Sequence, residues 1–475
     1  MLESLPTKKK ILADALATFH TLQPDCDPTT VATLERLCMQ LKDLERQHLH
    51  SKTEAQIISG KIGRAKRDNK PVTELLAAMQ QQSSQLKLIT DSREKLEIEI
   101  LSFFDYSDDV EETVADTKSY SSARKYPLSS CDISAISVSL DGKHDEWNAY
   151  VAGNYAASVY HRAEWPALIE KTYGHEGYYF TARDKDHRIV GVLPLIRLRS
   201  RLFGDLLVSM PYFMMGGAVA DHPAIEHKLM QAANDHAATL GAEHIEYRDD
   251  IPRESLSSRI EKVNMILTLP SSENELWNSF SSKLRSQIRR PQRENPQILI
   301  GGNEYLDEFY TVYAQNMRDL GSPVHSKLFI KNILDCFRDE SRIIVIRLKN
   351  RPVSAGLLIS NGDTLEIPLA STTRDANHLS MNMLLYWKIL QYAVESNYKL
   401  FNFGRSSTDA GTYKFKQQWG AKPRQLFWNY WLNDSDQLPS LNPSNPKYAL
   451  MISTWKRLPV FISKWLGPKI VKNLP

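Results

Sequence analysis

Between Val31 and Phe103 the chain holds a single proline, Pro71, and is dominated by Leu, Gln, Glu and Lys, side chains that lose little rotamer freedom in a helix. Leu34, Leu37, Leu41, Leu44, Ala55, Ile58 and Ile62 recur mostly at spacings of three and four. Leu75, Met79, Leu86, Ile89, Leu96, Ile100 and Phe103 repeat that pattern. Each run therefore carries one apolar stripe that it cannot bury alone. Asp68-Asn69-Lys70-Pro71 separates the two, because proline cannot continue a helix interior and restricts the residue before it. Two long helices broken once should fold back on each other, so an antiparallel helical coiled-coil hairpin is expected over residues 1–110.

A chain of 475 residues exceeds what one hydrophobic core covers, so further folding units are expected. Hydrophobic residues at 42% and charged residues at 24% are ordinary for a globular protein and exclude wholesale disorder. No apolar run reaches bilayer-spanning length, and the basic start MLESLPTKKK is not followed by a secretory h-region. A cytoplasmic location is expected. Cys26, Cys38, Cys131 and Cys336 form no C-x-x-C pair, which argues against a zinc site or a disulfide framework. A net charge of +3 does not suggest a dedicated nucleic-acid binder.

From Asp105 to Asp145 the helical pattern fails, and residues 111–145 read as a linker with a leading strand. Beyond it the texture is mixed α/β. Helices are expected at 159–173 and 224–240, and strands at 177–182, 189–198, 244–247 and 263–269. A similar order then repeats, with helices at 275–290, 306–320, 327–337 and 382–396 and strands at 343–348, 353–360, 364–370, 399–403 and 425–432. Two mixed sheets flanked by helices account for both passes, one over 146–270 and one over 271–435. The tail, 436–475, offers an amphipathic helix at 449–466 with Trp455, Phe461 and Trp465 among basic residues.

The segment KLFNFGRSSTDAGTYKFKQQWGAKPRQLFWNYW at 399–431 resembles the closing motif of FemAB-like acyltransferases, most closely the FemAB-related proteins associated with PEP-CTERM/exosortase systems. YHRAEWPALIEKTYGHEGYYFTAR at 160–183, KLRSQIRRP at 283–291, FYTVYAQNMRDLGSPVHSK at 309–327 and MNMLLYWKIL at 381–390 agree in order. The resemblance covers about residues 145–435 and implies two tandem GNAT-like acyltransferase domains. It also implies transfer of an acyl group to an amine. Typical members take an aminoacyl group from charged tRNA and add it to a peptidoglycan precursor, whereas simpler relatives are acyl-CoA-type N-acyltransferases, so acyl-CoA and aminoacyl-tRNA both stand as donors. Relatives commonly carry Asp where this chain has Asn402, which removes a carboxylate from the motif.

Acyl transfer needs an in-line amine, a donor for the oxyanion and positive charge for phosphates. Arg405, Lys414 and Lys416 supply cations after a strand end, with Gly404 and Gly411 permitting close backbone approach. Lys414, Lys416 and Tyr386 are the candidate catalytic residues, Tyr386 as a proton donor to the leaving group. Arg405, Gly404, Asn382, Arg285 and Arg289 are candidate substrate-binding residues, the two latter on one helix face with Lys283 and Arg290. Trp419 joins that set with Phe415 and Gly420 as the floor beneath the loop. The Q/R-x-x-G-x-G/A pyrophosphate loop of acetyl-CoA enzymes has no recognisable counterpart, and no metal-ligand cluster is expected.

The expected function is an N-acyltransferase acting on an amino group of a cell-envelope or exopolysaccharide precursor. The alternative is a non-catalytic scaffold in an envelope or exopolysaccharide assembly system, dimerising through the hairpin. Residues 51–76 resemble the tRNA-binding arm of seryl-tRNA synthetases, with Lys61, Arg64, Lys66, Arg67 and Lys70 around the turn. A tRNA partner and a homodimer both suit this hairpin. The Trp-rich tail suits peripheral membrane contact.

Overall fold

The computed structural model describes residues 28–68, 71, 73–102, 124, 126–200, 203–253, 256–408, 410–433, 438 and 446–474. Cys26, Lys70, most of the expected linker and the side chains of Arg64, Lys66 and Arg67 lie outside the described residues. Contacts divide the chain into two compact units, residues 1–120 and 121–475.

In the first unit Pro28–Arg67 and Thr73–Ser102 are helices. They run antiparallel: Met39, Gln40, Asp43 and Leu44 lie beside Ser92 and Leu96, and Gln82 Nε2 donates to Ser51 O at 3.3 Å and Glu54 Oε2 at 2.8 Å. Leu34, Leu37, Leu41, Ile89, Leu96 and Ile100 are buried, the stripe that the spacing predicts.

The second unit holds two mixed sheets. The strands are β1 (Ser137–Leu140), β2 (Gly177–Arg183), β3 (Ile189–Ser200), β4 (Gly204–Val208), β5 (Val219–Ala220), β6 (His244–Asp249), β7 (Ser257–Arg259), β8 (Lys262–Thr268), β9 (Gln297–Gly301), β10 (Ser341–Leu348), β11 (Arg351–Asn361), β12 (Thr364–Thr372), β13 (Leu400–Ser407), β14 (Lys422–Gln425) and β15 (Phe427–Leu432). Sheet one has the order β1-β2-β3-β4-β6-β15-β7, with β5 beside β3, and sheet two the order β14-β8-β13-β12-β11-β10-β9. Each has one parallel step, β4 to β6 and β12 to β13. The crossovers pass through the helices Pro223–Leu240 and Met381–Glu395. The same plan is thus used twice.

The halves exchange strands. β8, last in the first pass, pairs antiparallel with β13 of sheet two, while β15, last in the second pass, pairs antiparallel with β6 of sheet one. A boundary at residue 270 therefore does not separate the sheets. The single strand expected at 425–432 is two strands, and the chain crosses between sheets at Leu426, which is 1% exposed. One apolar core is common to both sheets, joining Tyr160, Trp165, Phe213 and Val208 to Phe309, Phe329, Val345 and Leu357. A second lies between sheet two and the helix Met381–Glu395, and a third between sheet one and the helix Pro223–Leu240.

Other differences have local causes. The helix expected at 275–290 is two, Glu273–Ser279 and Ser282–Gln292, because the Ser281 side chain caps the second by accepting from Leu284 N. The expected helix at 159–173 starts with a short 3-10 turn, Val159–His161, before Glu164–Tyr173. The tail helix is divided at Pro459 into Pro446–Trp455 and Val460–Val471. The helices His144–Gly153 and Gly411–Gln417 lack a long enough apolar repeat to announce themselves.

Candidate functional site

The parallel step of sheet two is short. β12 and β13 are registered only at Thr364↔Leu400, Leu365↔Phe401 and Glu366↔Asn402, yet β12 runs on to Thr372 and β13 to Ser407. Past Glu366 and Asn402 the two strands part, and backbone groups lose their ladder partners. The β13/β8 register shifts at the same place, between Asn402 and Arg405. Gly404 there has φ +75°, a conformation glycine adopts without steric cost.

Glu366 and Asn402 occupy the apex of the split. Leu365, Ile367, Phe401 and Phe403 belong to the core beneath the helix Met381–Glu395, so strand alternation turns Glu366 and Asn402 to the face shared with the first half. Tyr160, from the 3-10 turn of that half, donates its hydroxyl to Glu366 Oε1 at 2.5 Å. Asn402 Nδ2 donates to Glu366 Oε2 at 2.8 Å, and its Oδ1 accepts from Gly404 N at 2.8 Å. Burial pushes the Glu366 carboxyl up to about 7, against the lowering effect of the Tyr160 and Asn402 hydrogen bonds and the Lys416 charge. Burial keeps the Tyr160 phenol protonated well above its ordinary range.

Lys416, 7% exposed, comes from the helix Gly411–Gln417 and donates to Gly404 O at 2.9 Å and Arg405 O at 2.7 Å. Those carbonyls lie on the parted end of β13, so the ammonium replaces missing ladder donors. Burial lowers Lys416 to about 8, helped by the charge of Arg405 and opposed by Glu366. Arg405 is exposed, with its guanidinium 5.4 Å from the Trp428 ring centroid. The surrounding protein and the charge of Arg248 lower it toward about 10; open to solvent, it stays a cation at neutral pH.

The other residues proposed from sequence are dispersed. Lys414 is exposed, two positions from Lys416 on the same helix and so turned away from it. Tyr386 stacks on Phe403 at 5.5 Å and meets Phe415 edge-on at 5.0 Å, which puts it across sheet two from Glu366. Burial raises it to about 12. Trp419 is 1% exposed and packs against Phe280; it is floor and not a contact surface. Asn382 lies in the first turn of the helix Met381–Glu395. Arg285 and the exposed Arg289 lie on the helix Ser282–Gln292, where Arg289 covers the Trp277 ring at 5.1 Å. Glu366 and Tyr160, which meet here, are not among the residues that the sequence singles out. A lone Glu in the apolar strand TLEIPLA was the available signal.

Sheet one has the corresponding split after Val208↔Glu246, and it is filled. Arg248, fully buried, donates to Glu246 Oε1 at 2.7 Å, to Met210 O at 3.3 Å and to Phe213 O. Gly216 N and Gly217 N donate to Arg248 O at 3.1 and 3.0 Å. Met214-Met215-Gly216-Gly217 is thus a plug pressed onto β6, where a Cβ on Gly217 would stand 2.0 Å from Asp249 Oδ1. Val208 occupies the place that Glu366 has in sheet two. Among the described residues no His, Cys, Asp and Glu group is arranged to hold a metal ion.

Residues 279–417 match the family model described as acetyltransferase (GNAT) domain, the stretch that contains the β12/β13 split. No curated protein matches the chain. Among solved structures the chain is similar to FemX, with 15% identity over 62% of this chain and 98% of that one and a TM-score of 0.50. It is also similar to L-PGS from Bacillus licheniformis, with 12% identity over 71% and 99% and a TM-score of 0.42, and to a tandem GNAT protein from the clavulanic acid biosynthesis pathway, with 10% identity over 64% and 100% and a TM-score of 0.42. The fold is that of two tandem GNAT-like domains in mixed α/β sheets, preceded by a helical hairpin, with the acetyltransferase match in the second domain.

Proposed function

We propose that the chain is an N-acyltransferase that joins an acyl or aminoacyl group to an amino group, and that the reaction takes place at the split between β12 and β13. The observation that carries this reading is Glu366, a buried carboxyl at about 7 placed where two strands of the GNAT-type domain part. A group near the working pH is both sufficiently ionised and sufficiently basic to accept a proton. Tyr160 and Asn402 occupy one lone pair on each carboxylate oxygen and leave others free.

The acceptor enters as an ammonium and gives one proton to Glu366. The nitrogen then attacks the donor carbonyl, so that a C–N bond forms and the C–S bond of an acyl-CoA or the C–O bond of an aminoacyl ester breaks. The second nitrogen proton goes to the leaving thiolate or alkoxide. Lys416 holds the parted backbone in place, while Arg405, Lys414, Arg285 and Arg289 are the cations available for donor phosphates. A cell-envelope or exopolysaccharide precursor is the acceptor class favoured by the FemAB-like motif, and both donors remain within this proposal.

The test is to offer the full chain labelled acyl-CoA and, separately, charged tRNA with amino-sugar and lysyl acceptors, reading N-acylation by mass spectrometry. Transfer from one donor is expected, with a rate that rises with pH through about 7. Glu366→Gln should remove that limb and lower turnover by roughly 10²–10⁴-fold. No transfer from either donor would overturn the proposal and leave the scaffold reading.

A further inference from the structure

The C-terminal helices carry a surface that acyl transfer does not use. Val460–Val471 seats Ser463, Gly467 and Val471 inward, and a Cβ on Gly467 would stand 2.8 Å from Val324 N. Its end is tied down where Lys472 O accepts from Tyr212 OH at 2.7 Å and from His175 Nε2 at 2.7 Å. Arg318 Nη1 donates to Leu458 O at 2.9 Å at its start. These contacts fix the rotation of the helix and leave the opposite stripe outward.

That stripe is Phe461, 73% exposed, and Trp465, 65% exposed, one turn apart, followed by Lys469, whose Nζ stands 3.8 Å from the Trp465 ring centroid. Met451 of the preceding helix is 63% exposed. Large apolar side chains held out of the core by a rigid seat mark a surface that meets something other than water. The charge says what. Residues 446–475 contain Lys447, Lys456, Arg457, Lys464, Lys469 and Lys472 and no Asp or Glu, in a chain whose net charge is only +3. A segment whose outward aromatic rings have cations and no carboxylate among their chain neighbours complements an anionic lipid surface. No helix among the described residues is long and apolar enough to cross a membrane, so the contact lies along the surface.

We propose that Phe461 and Trp465 enter the headgroup boundary of an anionic membrane while Lys469, beside Trp465, and the exposed Lys456 and Arg457 meet its phosphates. This goes beyond the acyltransferase reading and does not depend on it. The full chain is mixed with phosphatidylcholine vesicles, with or without phosphatidylglycerol, and floated on a density gradient at low and high salt. Flotation with the phosphatidylglycerol vesicles alone, weakened by salt, is expected. Phe461→Ser/Trp465→Ser should reduce the bound fraction by roughly tenfold with unchanged circular dichroism, since both side chains point outward. Absence of flotation, equal flotation of the double variant, or a concentration-dependent dimer abolished by the double variant without any lipid binding would each overturn the proposal.

Discussion

Asn402 is an amide where the FemAB-like resemblance leads to the expectation of Asp, and its surroundings explain why an amide fits. It donates to Glu366 and accepts from Gly404 N at the same time, whereas a carboxylate could only accept and would stand beside a second carboxyl. Glu366 titrates above the usual 4.5, so the stability it lends is complete below that value and is lost as pH rises through about 7. Glu366→Gln should flatten this slope in urea unfolding measured between about pH 5 and 8; an unchanged slope would assign it to other groups. Lys416→Met should leave the Gly404 and Arg405 carbonyls without a donor and cost about 1–3 kcal/mol, while Lys414→Ala on the exposed side of the helix should stay within about 0.5 kcal/mol. Equal effects in thermal unfolding would contradict the inward and outward placement of the two lysines.

At the scale of elements, the two parallel steps are built alike and finished differently. In sheet one the turn at 210–217 folds back on Arg248 and closes the gap. In sheet two Tyr160, Asn402 and the Lys416 ammonium occupy the gap instead, and Met214 of the first half lies 3.0 Å from where a Cβ on Gly404 would stand. The plug depends on backbone approach: Gly217→Ala would drive a methyl into Asp249, itself held by Arg253 Nη2 at 3.0 Å. A loss of about 1–3 kcal/mol is expected, read by chemical denaturation, with the 210–217 turn becoming accessible to limited proteolysis. An unaltered digest would show that the plug does not need this glycine.

For the whole second unit, the reciprocal strand exchange and the common core make the halves one folding entity. Residues 121–270 alone would leave β6 without β15, with Tyr430 no longer donating to Glu246 at 2.7 Å, and residues 271–475 alone would leave β13 without β8. Expressed separately, neither half should show a cooperative thermal transition, whereas residues 121–475 together should; one sharp transition in an isolated half would refute this dependence. The apolar stripe of the hairpin and most helices and strands of both passes were legible in the sequence, because periodicity and turn chemistry act between near neighbours, whereas Gly404, Arg405 and Lys416 were singled out with the help of the family resemblance. Glu366 was not, since a single Glu in an apolar strand reads as a solvent-facing position until its partner is known, and Tyr160 lies 206 residues away. Nor could one strand prediction at 425–432 show that it divides between two sheets. Burial, the raised carboxyl and the parting of β12 from β13 come from long-range pairing, and only the tertiary structure decides which polar groups lose water and which partners compensate them.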